Sequence, residues 1–76
     1  ENKQLFYDSK TILQEQVQKV GQTLSYELVE ESGPEHDKLF TVEARIDGQT
    51  VGRGQGRNKK SAQQQAAYQV LLARKY

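Results

Sequence analysis

Cysteine, methionine and tryptophan are absent from this 76-residue chain, and proline occurs once. Without cysteine there is no disulfide framework, no thiol nucleophile and no thiolate metal site, so zinc-stapled mini-domains are excluded and a reducing, cytoplasmic setting is the expectation. Long apolar runs are missing as well: the longest are a few residues, far short of the ~20 that span a bilayer. The opening Glu1-Asn2-Lys3-Gln4 has neither the charged nor the apolar region of a signal peptide. Catalytic groups are equally scarce. A lone histidine, His36, and no paired acids at an expected scaffold edge leave little for a nucleophilic triad or a carboxylate cluster, so the chain is not expected to be an enzyme by itself. Gly52-Arg53-Gly54-Gln55-Gly56 misses the dinucleotide fingerprint because its third glycine comes one residue early and no acid follows, and no Gly-Lys-Ser/Thr makes a P-loop.

What is present fits one small domain with a thin core. Hydrophobic residues make up 34% of the chain, six of them aromatic, and a chain this short buries only about 60% of the surface it exposes when unfolded. The net charge of +1 hides an asymmetry. Up to Asp47 five Lys or Arg stand against all ten acids, net −5, whereas Gly48 to Tyr76 carries six basic residues and no acid. Four of those six, Arg53, Arg57, Lys59 and Lys60, fall within eight residues, a concentration of charge whose usual partner is a polyanion.

The apolar periods divide the chain into elements. Residues 1–7 have no clear period and read as the tail of a linker, leaving 8–76 as the domain. Asp8 or Ser9 is placed to cap a helix in which Leu13, Val17 and Val20 share a stripe, with Gly21 at its end and Thr11, Gln14, Glu15 and Gln18 on the opposite face. Two alternating runs follow, Leu24-Tyr26-Leu28 and Phe40-Val42-Ala44-Ile46, the mark of half-buried strands. Between them Glu30 to Asp37 reads as a loop. Asp47-Gly48 is a two-residue hairpin signal leading to a third strand near Thr50 to Gln55, where Gly52, Gly54 and Gly56 suggest that something packs closely against it. A last helix is capped by Asn58 and runs toward Arg74 on a stripe of Ala66, Ala67, Val70 and Leu71. That stripe traced backward reaches Gln63, Lys60 and Lys59, which cannot be buried unpaired, so the first turn must overhang the sheet as a cationic tip. The expected fold is α+β, in the order α-β-β-β-α, with a three-stranded antiparallel sheet and both helices on one face.

Three patches carry recognition chemistry. At the start of the second helix, free backbone N–H groups and the positive end of the helix dipole meet Arg57, Asn58, Lys59 and Lys60, a phosphate site. The amides and hydroxyl of Thr11, Gln14 and Gln18, beside Glu15, both donate and accept, which suits ribose 2′-hydroxyls and base edges in a shallow groove. The loop holding Pro34 and His36 presents a ring and a carbonyl on a turn stiffened by proline. Each patch alone has a bland counterpart in ordinary solvated surface.

Taken together, Leu13-Gln14-Glu15, Gly33-Pro34-Glu35-His36 with Phe40, and Gly54 to Ala62 with Ala66-Ala67 resemble the double-stranded RNA-binding domain family over residues 8 to 74. The resemblance implies binding of duplex RNA by shape: Thr11, Gln14, Glu15 and Gln18 in one minor groove, Pro34 and His36 in the next, and Arg57, Asn58, Lys59, Lys60 and Gln63 on the phosphates between. Gln63 stands where the family usually has a third lysine, which implies one weaker phosphate contact, and Arg74 where many members are apolar. Within the family, Asp8 to Glu15, Glu30 to Lys38 and Phe40 to Ala44 are most similar to the C-terminal domain of bacterial ribonuclease III. That likeness implies a homodimeric, magnesium-dependent endoribonuclease as parent, with its catalytic domain, and so the magnesium, outside this chain. The isolated domain is then expected to be a monomer that binds without cutting. The alternative reading is a protein-interaction module of the same fold, favoured by the missing third lysine and the acidic first half.

Overall fold

The computed structural model describes residues 3–75. They form α1 (Lys3–Lys19), β1 (Leu24–Ser32), β2 (Leu39–Ile46), β3 (Gln49–Gly56) and α2 (Lys59–Ala73). The strands make an antiparallel meander in the order β1-β2-β3. Both helices cover one face of it. Their shared core joins Leu5, Leu13 and Val17 of α1, Val42, Ala44 and Ile46 of β2, and Ala62, Ala66, Ala67, Val70 and Leu71 of α2. The architecture is the α+β order expected from the periodicities.

α1 departs from expectation at both ends. Of the stretch read as a linker tail, residues 1 and 2 lie outside the described residues, and residues 3–7 are helical. Neither Asp8 nor Ser9 is a cap. Ser9 is fully buried and its hydroxyl donates to the Leu5 carbonyl at 2.7 Å, so the buried stripe runs Leu5, Ser9, Leu13, Val17 at a spacing of four. A polar residue in the middle of that stripe conceals its first turns in the sequence. At the other end Val20, expected in the core, is 65% exposed. The helix has already stopped: Gly21 adopts φ +75°, its N–H donates to the Gln18 carbonyl at 3.0 Å, and the Gln22 N–H donates to the Val17 carbonyl at 3.0 Å. This pair of bonds is a Schellman closure, which needs the left-handed conformation glycine adopts at least cost.

β1 continues to Ser32, three residues into the stretch read as loop. Its pairing with β2 shifts between Leu28 and Glu30, and that of β2 with β3 shifts where Ala44 opposes Gly52 but Arg45 opposes Thr50. Val29 and Val51 are the extra residues of these two bulges, and both are exposed. The Asp47-Gly48 turn has positive φ at both positions, 52° and 84°, as a type I′ hairpin requires.

The three glycines of β3 are explained by α2. A Cβ on Gly54 would collide with the backbone nitrogen of Ala66 and lie 2.7 Å from the Ala62 carbonyl oxygen; one on Gly52 would lie 2.5 Å from Val70 Cγ2. Bare strand backbone against Ala62 and Ala66 brings α2 down onto the sheet, and this contact fixes where the helix begins.

Candidate nucleic-acid interface

α2 starts beyond Gly56, at the end of β3. Asn58 is extended (φ −146°, ψ 170°), and its side-chain oxygen accepts from the Ser61 N–H at 2.8 Å, while its carbonyl accepts from the Ala62 N–H at 3.0 Å. The amides of Lys59 and Lys60 therefore stand outside the helical ladder at the positive end of the dipole. Both lysine side chains are exposed and neither forms an ion pair with a described residue.

The rest of the basic cluster is partly neutralised. Arg57 donates to Asp37 at 2.7 Å and Arg53 to Glu43 at 2.8 Å. Acids from the first half of the chain thus reach the acid-free second half, and of the four cations between residues 53 and 60 only Lys59 and Lys60 have no acidic partner among the described residues.

Two polar ties hold the other patches against this tip. On one side the Arg57–Asp37 pair anchors the β1–β2 loop, in which the Asp37 N–H closes a turn on the Pro34 carbonyl at 2.9 Å. Gly33 permits that turn at φ +92°; a Cβ there would stand 2.5 Å from the Asp37 carbonyl oxygen. Pro34 and His36 are exposed at its crest, and His36 and Arg57 line one shallow depression together with Phe40. On the other side the Lys10 ammonium crosses from α1 to donate to the Gln63 side chain on α2 at 2.7 Å. Lys10 also shares a depression with Thr11, Gln14 and Glu15. Thr11, Glu15 and Gln18 are exposed and Gln14 is half-buried.

The structure therefore ties the β1–β2 loop to Arg57 just before α2, and α1 to α2 through Lys10 and Gln63. It also gives two members of the sequence patches added duties: Asn58 spends its oxygen on the cap, and Gln63 accepts from Lys10. Lys10 itself escaped the sequence reading. Its signal was the four-residue step to Gln14, which places it at the margin of the polar face.

Beneath Lys10 lies the ring of Tyr26, 5.6 Å from the ammonium to the ring centre. The Tyr26 hydroxyl is buried without a hydrogen-bond partner among the described residues, and its burial pushes the phenol up to about 12. The outer face of the sheet is organised around Glu43, whose carboxylate accepts from Arg45 at 2.9 Å, Arg53 at 2.8 Å and Thr50 at 3.0 Å. These hydrogen bonds, from Arg45 first and then Arg53 and Thr50, hold it down at about 2. No three His, Asp or Glu side chains converge among the described residues. No described helix is long and apolar enough to cross a membrane.

A family model for the double-stranded RNA binding motif matches residues 9–73. Ribonuclease 3 of Natranaerobius thermophilus is 50% identical over 62 residues, covering 80% of this chain and 27% of that protein. Ribonuclease 3 of Streptococcus pneumoniae (strain Hungary19A-6) is 46% identical over 65 residues, covering 84% of this chain and 28% of the relative. The chain thus spans little more than a quarter of the length of the curated relatives it matches.

Proposed function

Because the chain belongs to the double-stranded RNA binding motif family, we propose that it binds A-form duplex RNA by shape, as the substrate-binding domain of a ribonuclease III. Thr11, Gln14, Glu15 and Gln18 of α1 lie in one minor groove and meet 2′-hydroxyls and base edges. Pro34 and His36 enter the next minor groove along the duplex. Lys59 and Lys60, with the two free amides beneath them, bridge the phosphates of the intervening major groove, over a footprint of about 16 base pairs. Side chains cannot read the deep major groove of A-form RNA, so the contacts there are electrostatic and carry no sequence information.

The observation that carries this reading is the pair of unshared lysines on the capped start of α2, with the Pro34–His36 loop and α1 tied beside it through Arg57–Asp37 and Lys10–Gln63. In the intact protein this segment supplies affinity and orients the duplex. Cleavage, its magnesium and the homodimer contact belong to the part outside this chain, and a cytoplasmic setting goes with that role.

The test is a titration with duplex RNA, duplex DNA and single-stranded RNA at several salt concentrations. Tighter binding of duplex RNA is expected, and equal affinity for all three would sink the reading, since A-form and 2′-hydroxyl readout demand discrimination. Lys59→Ala with Lys60→Ala should weaken binding for every duplex sequence and reduce the slope of log K against log salt by about one to two units.

A further inference from the structure

Lys10 lies outside the three patches read from the sequence, yet its ammonium sits where two of them meet. It reaches Gln63 at 2.7 Å, and Gln63 lies three and four residues beyond Lys60 and Lys59 on α2, the spacing that makes helix residues neighbours on one face. The side chain that α2 offers there is neutral. The charge at that position is delivered from α1.

Four features mark this ammonium as more than a tie between helices. Gln63 is its only hydrogen-bond acceptor among the described residues, which leaves two of its three donors open. No described acid pairs with it, so among the described residues its charge is unshared. The ammonium itself is held at one side by Gln63 and stands over the face of Tyr26, an arrangement that favours a cation. Lys10 also lines the same depression as Thr11, Gln14 and Glu15, so a duplex seated on those residues brings its backbone to the ammonium.

We propose that Lys10 is a nucleic-acid contact, a preorganised cation that engages a backbone phosphate at the junction of the α1 minor-groove face and the α2 tip, with Gln63 as the residue that positions it. The inference rests on the duplex-binding reading and adds a third unshared charge to Lys59 and Lys60.

The test compares Lys10→Gln, Lys10→Arg and Gln63→Glu with the parent chain in titrations of duplex RNA over a range of salt, with thermal melts alongside. Lys10→Gln should weaken binding several-fold, about equally for all duplex sequences, and lower the salt slope by about one unit. Lys10→Arg should restore the slope. Gln63→Glu should lower it by a similar amount while keeping the fold, since the carboxylate takes up the charge of the ammonium. A Lys10→Gln variant that melts earlier but keeps the parent slope would overturn the proposal and leave Lys10 as an interhelical tie. The Lys59→Ala, Lys60→Ala variant separates the two levels. If it loses slope while Lys10→Gln does not, only this inference fails; if the parent chain shows no preference for duplex RNA, the functional reading fails with it.

Discussion

Glu43 receives three side-chain hydrogen bonds on the open face of the sheet, and its carboxyl titrates near 2 rather than at the ordinary 4.5 because Arg45 and Arg53 favour its charged form. A group whose proton affinity is lower folded than unfolded contributes stability above the unfolded value and loses it as pH falls toward the folded one. The parent chain is therefore expected to lose resistance to urea between about pH 5 and pH 2, and Glu43→Gln to be weaker near neutrality with a flatter dependence across that window. Denaturation curves at stepped pH check this; an identical pH profile in the variant would remove Glu43 from the account. Tyr26 works in the opposite sense. Its phenol is pushed up to about 12 by burial, so its contribution is full below about pH 10 and is lost as pH rises toward 12. Arg45, two residues along β2 from Glu43, is a local partner, but Thr50 and Arg53 reach Glu43 from β3 and the burial of Tyr26 comes with the packed fold, so these roles are not legible in the sequence.

At the level of elements, α2 on β3 decides the geometry of the site. Gly54→Ala places a methyl group against the Ala66 backbone nitrogen and 2.7 Å from the Ala62 carbonyl oxygen. Backbone on both sides cannot yield as a flexible side chain does, so a loss of about 1–3 kcal/mol is expected. Because the α2 tip would lift from the sheet, duplex affinity should fall as well. Urea denaturation and the same salt titration read the two effects, and a variant of parental stability would show that the helix stands further from the strand than described. Most of this layer can be read in advance. The alternation of Phe40, Val42, Ala44 and Ile46, the positive-φ Asp47-Gly48 turn and the Asn58 cap are local signals that the fold obeys. The start of α1 is not, because Ser9 sits in the apolar stripe and satisfies its hydroxyl within its own helix. The bulges are hidden too: Val29 and Val51 look like strand interior but are the residues that break the alternation.

For the whole molecule the governing quantity is how its small net charge of +1 is distributed. Folding gives Arg53 and Arg57 to Glu43 and Asp37, leaves Lys59 and Lys60 unshared and brings Lys10 beside them through Gln63. The Arg57–Asp37 pair is exposed, with side chains 77% and 52% accessible, so its value is less in stability than in holding the Pro34–His36 loop. Asp37→Asn keeps an acceptor for the guanidinium while removing the opposing charge. It should tighten duplex RNA binding at low salt and steepen the salt slope by up to about one unit, with little change in melting temperature. A shallower slope would mean that the carboxylate itself orders the loop for contact.

The chain's own order of residues determines the α-β-β-β-α plan, the turn chemistry and the family membership, because periodicity, caps and glycines act over a few residues and are written locally. Even Gln63, a departure from the family's third lysine when read along the chain, is unambiguous as a residue type. What that glutamine does was decided only in three dimensions. The helices had to pack on one face of the sheet before Lys10 of α1 and Gln63 of α2 could meet, 53 positions apart at 2.7 Å. Charge acts through space, so its pairing across the fold is what distinguishes a neutralised arginine from an open cation.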